Sequence, residues 1–542
     1  MRAKRYGLAS LMLLVAILLV ACGGQGSSTA QPSSTWRRMA ADVLSTMDPS
    51  LNTDTIGGQT LVDTMEGLYR YKGQRLANGL ATSVDVNAAG TTYTFHLRKS
   101  TWSDGTAVTA SDFVFGWKRT VDPATKSEYA YLFSGIQNAD EIMAGQAPAS
   151  SLGVSAPNAT TLTVTLAHAI PYFQKMLVNP AFFPQSEAAV KRYGKTYGTK
   201  ATAILTNGPY TLKKWTGTEN TWTEVRNPKF WDAKNVHLQT ITTQVVKDSS
   251  TALNLYNTSK LDDVSLTGQQ AASAKTNKDF HAQKQSSVFY LELNQKKVAA
   301  FANVKLRQAI SMAIDRQSFI TKVLGDSSLP ATALTSSGLA TAPGNGNDFV
   351  QAASAGVTQY TAFDLARAKT LWAAGLKELG QTSVTVELLS DDTSAAKATA
   401  EYLQSALQEL PGMTVTIASV PFKTRLARSQ ARDFELVMGG WGADFPDPIT
   451  FLDLYVTGQS YNNGQWSNAQ YDAAIAASKT TDATDPAKRW ADLVAAQKIL
   501  TEQMGLVPLY QRVQAHLTNP KLKGLQYSPT GTYNYIGATV TD

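Results

Sequence analysis

The stretch from Val384 to Asp444 leaves few folds open to this chain. Val384–Leu389 (VTVELL) reads as a strand. From Thr393 to Leu410, Ala396, Ala400, Leu403, Leu407 and Leu410 recur at alternating steps of four and three, which builds one apolar helix face. Met413–Val420 (MTVTIASV) is a second strand, Lys423–Arg432 a short basic helix, and Phe434–Met438 (FELVM) a third strand. A β-α-β-α-β order implies a mainly parallel sheet covered by helices. Ligands of such sheets sit beyond the carboxyl ends of the strands, where Gly439-Gly440-Trp441-Gly442-Ala443-Asp444 falls. A similar order occurs earlier. Leu238–Val246 precedes a helix at Ser249–Tyr256, and Leu291 and Leu293 precede a helix at Val304–Ile314. Two α/β regions far apart in sequence imply two lobes, and a cleft between lobes is a common ligand site.

Thr91–Lys99 alternates, with Tyr93, Phe95 and Leu97 on one face of a strand. Trp102-Ser103-Asp104-Gly105-Thr106 is a turn, Asp-Gly being suited to it. A helix then opens near Asp112, capped by Thr109 or Ser111 and burying Phe113, Val114 and Trp117.

The first 22 residues read as an address. Arg2, Lys4 and Arg5 precede a ten-residue apolar run, Leu11–Val20, too short to span a bilayer, which takes roughly 20 residues. Leu19-Val20-Ala21-Cys22 resembles the bacterial lipobox, in which the cysteine is acylated and becomes the first mature residue. Cys22 is the only cysteine of the 542 residues, which excludes an internal disulfide. Gly23–Thr35 has no large apolar residue and reads as a tether. The body, 43% hydrophobic and 17% charged, is that of a large globular protein. The net charge of the whole chain, +7, falls further once Arg2, Lys4 and Arg5 are removed, which argues against nucleic acid as a partner.

Enzyme signals are weak. Ser394-Ala395-Ala396-Lys397 matches Ser-x-x-Lys without a Lys-Thr-Gly and sits inside a helix. Phosphate-loop, nucleophile-elbow and zinc-protease patterns are absent from the sequence, and the five histidines are scattered without a ligand-like pair. No cofactor or metal is expected.

The chain resembles the oligopeptide- and dipeptide-binding proteins of ABC importers. The resemblance rests on Met47-Asp48-Pro49, Glu66-Gly67-Leu68, the block from Phe95 through Trp102-Ser103-Asp104-Gly105-Thr106 to Val114, Asn207-Gly208-Pro209-Tyr210, Val304–Arg316, Trp441-Gly442-Ala443-Asp444 and Val507-Pro508-Leu509-Tyr510. It implies an α/β, periplasmic-binding-protein-like fold: two lobes with mixed sheets flanked by helices, a smaller additional domain, and a ligand cleft between the lobes. The expected division is a signal peptide (1–21), a lipid-anchored tether (22–35), a discontinuous domain one (36–75, 205–290 and 505–542), an inserted domain two (76–204) and domain three (291–504). Taken alone, Asp444 is a turn or capping aspartate; the resemblance makes it the partner of a peptide's α-ammonium. Gly440, Trp441 and Gly442 would hydrogen-bond the peptide backbone opposite Thr53, Asp54 and Thr55, holding the peptide as an added strand. Arg425, Arg428 and Arg432 read as a solvated helix face. The implied activity is capture of oligopeptides, without catalysis, by a monomer anchored through Cys22 on the outer face of a cell membrane, with palmitate among its acyl chains. The implied partners are a permease and its ATPase, and the implied source is a Gram-positive bacterium. The alternatives are a non-peptide solute (nickel chelate, haem or sugar) and a peptide signal.

Overall fold

A computed structural model describes residues 34–541. The expected signal peptide, Cys22 and nearly all of the expected tether lie outside the described residues. Thr35, read above as the end of the tether, already belongs to the first strand, β1 (Thr35–Ala40), where it pairs with Thr240.

Helix α1 (Thr55–Thr64) follows β1. A four-stranded antiparallel sheet comes next, built from β2 (Ala81–Val86), β3 (Thr92–Leu97), β4 (Val154–Asn158) and β5 (Thr161–Thr165) in the order β2-β3-β5-β4. Helix α2 (Ala110–Val121) packs on it, burying Phe113 and Trp117 completely. Thr109 is its N-cap: the Thr109 amide and hydroxyl both donate to Asp112, closing a capping box.

Three two-stranded ribbons lie apart, and nine more strands join β1 in one continuous mixed sheet. They are β6 (Tyr210–Lys213), β7 (Thr221–Arg226), β8 (Thr240–Val245), β9 (Asp263–Leu266), β10 (Phe280–Leu293), β11 (Val384–Asp391), β12 (Met413–Val420), β13 (Leu436–Gly442) and β14 (Val507–Thr518). With β1 included, the order is β12-β11-β13-β10-β14-β9-β1-β8-β7-β6. The Val384–Asp444 run folds in the β-α-β-α-β order read from the sequence. β11 pairs parallel with β12 from Val384↔Met413 to Asp391↔Val420, and parallel with β13 at Leu388↔Leu436 and Leu389↔Val437. The intervening helix, Ser394–Leu407, is capped by Thr393, whose hydroxyl accepts from the Ala396 amide, and it buries Ala396, Ala400, Leu403 and Leu407.

Two lobes result. One contains β1 and β6–β9, the other β11–β13, and the long strands β10 and β14 run through both. The carboxyl-terminal half of β10 pairs with β13, and the carboxyl-terminal end of β14 pairs with β9. The β10–β14 ladder breaks register between Lys284 and Val288. There Gln511 Nε2 donates to the carbonyls of Gln285 (3.0 Å) and Ser337 (3.1 Å), supplying acceptors with a partner that the interrupted ladder does not. Among the described residues no helix is long and apolar enough to cross a membrane.

Candidate functional site

The carboxyl ends of β1, β8, β11 and β13 open into one cleft of about 580 Å³. Its floor on one side is β13. The third strand was expected to end at Met438; instead it continues through Gly439-Gly440-Trp441-Gly442, pairing with β10 from Leu293↔Leu436 to Ser287↔Gly442. Its other edge pairs with β11 only at Leu436 and Val437. From Met438 to Gly442 that edge carries no strand among the described residues. A chain in extended conformation has room and hydrogen-bonding groups there. The glycines keep the surface low. A Cβ at Gly440 would stand 2.9 Å from the Phe289 ring, and one at Gly442 would stand 3.0 Å from Ser287 Oγ and 3.9 Å from Thr55 Cγ2.

Thr53, Asp54 and Thr55 line the opposite wall. Asp54 is already engaged as the N-cap of α1: its Oδ1 accepts from the Gly57 amide at 2.8 Å, and Ser45 Oγ donates to its other oxygen. Burial raises its carboxyl above the usual range. Its side chain is thus committed to ordering the wall.

Asp444 lies just past β13. Tyr129 OH and Asn179 Nδ2 each donate to its Oδ1 at 2.9 Å, and Thr450 Oγ1 donates to its Oδ2 at 3.3 Å. Its surroundings are aromatic: the Trp441 and Tyr461 rings are 4.6 Å apart, Tyr129 and Tyr461 5.7 Å, Tyr129 and Trp441 6.0 Å. Burial pushes the carboxyl up to about 7 against the pull of these donors. Neutral donors hold it in place, and among the described residues no Lys, Arg or His forms an ion pair with it. A carboxylate held in this way, in a ring of aromatic faces, suits a cation. Tyr129 and Asn179 had no local sequence signal; they lie 315 and 265 residues from Asp444.

Opposing strand ends meet in a charged bridge. Lys247 Nζ lies 3.0 Å from Asp42 on its own lobe and 2.6 Å from Asp392 on the other, while the Ser394 amide donates to the Lys247 carbonyl at 3.0 Å. Arg425 departs from the solvated face expected of it: it lines the cleft and pairs with Asp391 at 2.9 Å. Arg428 pairs with Glu387 and Asp433. Because Lys247 bridges the lobes, Lys247→Met is expected to speed ligand release several-fold, whereas in the parent the same release quickens with salt. Stopped-flow dissociation at low and high salt checks this; an unchanged rate would dismiss the bridge as a closure contact.

Among the histidines, His281 and His516 prove to be neighbours, stacked at 5.2 Å on β10 and β14, with His516 Nδ1 3.0 Å from Asp263. Among the described residues no group of three or more His, Cys, Asp or Glu is placed to hold a metal.

Residues 75–463 match the model for bacterial extracellular solute-binding proteins, family 5 middle. The chain belongs to this family. It is a family of solute-binding proteins rather than of enzymes. A dipeptide-binding protein of Lactococcus lactis subsp. cremoris is 38% identical over 98% of both chains. The solved structure of Listeria monocytogenes OppA bound to peptide is 39% identical, with a TM-score of 0.89 over 94% of this chain and 100% of that one. The Escherichia coli murein tripeptide binding protein MppA (28% identical) matches over 94% of this chain and 98% of its own with a TM-score of 0.84. MppA in its unliganded open form, at the same identity and coverage, gives 0.62. The lobe arrangement here therefore departs from that open form, in keeping with the Lys247 bridge between lobes.

Proposed function

We propose that this chain captures oligopeptides outside the cell and delivers them to an ABC importer. The observation that carries the reading is Asp444: a half-buried carboxylate without a cationic partner among the described residues, at the end of a strand edge free from Met438 to Gly442. A peptide lying along that edge offers an α-ammonium to Asp444 and backbone groups to Gly440, Trp441 and Gly442, while Thr53–Thr55 close over it. Backbone recognition accepts many sequences, because every peptide carries the same groups. The named relatives support this: one is a dipeptide-binding protein and one was solved with peptide bound.

In this reading the lobes close as peptide contacts form on both, since closure needs contacts better made in the closed state. Cys22 carries the lipid anchor, the tether spaces the monomer from the membrane, and the three-domain division given above applies, domain two contributing Tyr129 and Asn179. The ATPase is a separate protein.

Titration of the purified protein with a mixed tri- to octapeptide library, followed by tryptophan fluorescence and mass spectrometry of what is retained, tests the reading. Retained peptides of several sequences are expected. A folded protein that retains none would end it.

A further inference from the structure

Eleven carboxylate residues line the cleft against five Lys and Arg, although the whole chain carries a net +7. Much of this acid is neutralised in place: Asp63 by Arg38, Glu66 by Arg70, Asp42 by Lys247 and Asp391 by Arg425, while Asp263 is hydrogen-bonded to His516 and Thr518. Glu292 and Glu128 are not so paired. Glu292, on β10 and 3% exposed, accepts from the Gly464 amide at 2.7 Å and has no ion pair among the described residues. Burial pushes its carboxyl up to about 7. Glu128 stands close enough to Tyr461 and to Gln430, at the end of helix α3 (Phe422–Gln430), for both to pull its raised carboxyl back down, yet its buried Oε2 makes no well-formed hydrogen bond. Ser429 Oγ, on a residue 6% exposed, and Tyr461 OH are likewise buried without partners. All four residues line the cleft, in the corner enclosed by β10, this helix and the 461–464 loop.

An apolar ligand group in this corner would leave Glu128 Oε2 and two hydroxyls without partners and Glu292 without a counter-charge, and an acidic one would set a third acid beside two. A group with several N–H donors and a positive charge satisfies them all. We propose that this corner is a subsite for a lysine or arginine side chain of the bound peptide, so that the protein selects cationic peptides, with Glu292 and Glu128 accepting from the ammonium or guanidinium and Ser429 Oγ and Tyr461 OH completing its hydrogen bonds. The inference rests on the peptide reading above and adds a substrate class to it.

Calorimetric titration tests it with tetraalanine and with tetraalanine carrying one lysine, norleucine or glutamate at each position in turn. At one position lysine is expected to bind at least about tenfold tighter than norleucine, and glutamate more weakly than either, as a charge-assisted bond demands. Glu292→Gln and Glu128→Gln should each shrink the lysine-to-norleucine ratio. Equal binding of lysine and norleucine at every position would overturn the subsite while leaving peptide capture standing if tetraalanine binds. An unchanged ratio in both variants would also overturn it. Should either variant fail to fold, the ratio in the unaltered protein decides. Failure of every peptide, tetraalanine included, would remove the peptide reading and the subsite together.

Discussion

Asp444→Asn is expected to weaken binding of a peptide with a free amino terminus about 100-fold, as removal of one partner of a desolvated charge pair does. An N-acetylated peptide, which brings no ammonium, should bind both proteins almost equally. Equal losses for the two peptides would refute the ammonium role. The same substitution has a second signature. An aspartyl carboxyl held near 7 in the folded chain, against about 3.9 unfolded, costs stability once the pH exceeds the unfolded value. Between about 4 and 7 the folded state keeps a proton that the unfolded state has lost, so stability falls as pH rises through this window. Asparagine removes that cost. The ligand-free variant should therefore be more stable than its parent at pH 8, by up to about 4 kcal/mol at 1.36 kcal/mol per unit, and equal to it near pH 4. Urea unfolding at the two pH values measures this. Weaker binding together with higher stability marks a residue kept for its ligand.

Affinity for a free-amine peptide follows from the same group. Below about 7 the carboxyl must lose a proton to pair, and above about 8 the peptide amine loses its own. Affinity should peak between these values and fall about tenfold per pH unit on the acid side. Asp444→Asn should abolish that acid limb; persistence of the limb in the variant would assign it to another group.

The features legible in the sequence were those set by neighbours along the chain. Ala400, Leu403 and Leu407 declare a helix by spacing alone, and the sequence narrows the cap of the Ala110–Val121 helix to Thr109 or Ser111, of which Thr109 takes the place. The glycines from Gly439 to Gly442 misled because glycine favours turns. Here they serve as strand residues whose missing side chains make room for Phe289, Ser287 and Tyr290 across the ladder. Asp444 was found by resemblance, whereas Tyr129 and Asn179, which hold it, come from a distant segment that no local pattern joins to it. Arg425 looked solvated because its helix is basic; Asp391, at the end of a strand 34 residues earlier, draws it into the cleft. Glu292 gave no signal at all, since an acid in a strand reads as an exposed position until the sheet that buries it is known.

The wall opposite Asp444 depends on Arg38, and Arg38→Met is expected to cost on the order of 3 kcal/mol of stability, the usual range for breaking a buried ion pair from one side. Arg38 is 4% exposed, and its Nη2 lies 2.9 Å from both Asp63 and Glu224 while Nε donates to Thr243 Oγ1 at 2.9 Å. Burial beside a second acid pushes the Glu224 carboxyl up to about 8 and raises that of Asp63 as well, so near neutral pH the pair holds a proton between them and Arg38 offsets the remaining charge. Without the guanidinium, the pair must keep that charge unpaired or take up a second proton. Either penalty shrinks as the pH falls toward 4, where these acids take up protons in the unfolded state too. The loss should therefore be large at pH 7.5 and small at pH 4.5, and the neutral triple variant Arg38→Met, Asp63→Asn, Glu224→Gln should recover most of it. Asp63 belongs to α1, whose first turn presents Asp54 and Thr55 to the cleft. Peptide affinity should consequently fall in the single variant even where it remains folded, because one wall is no longer tied to the sheet. A variant within about 1 kcal/mol of its parent at pH 7.5 would show that Asp63 finds another partner and that α1 is anchored by packing alone.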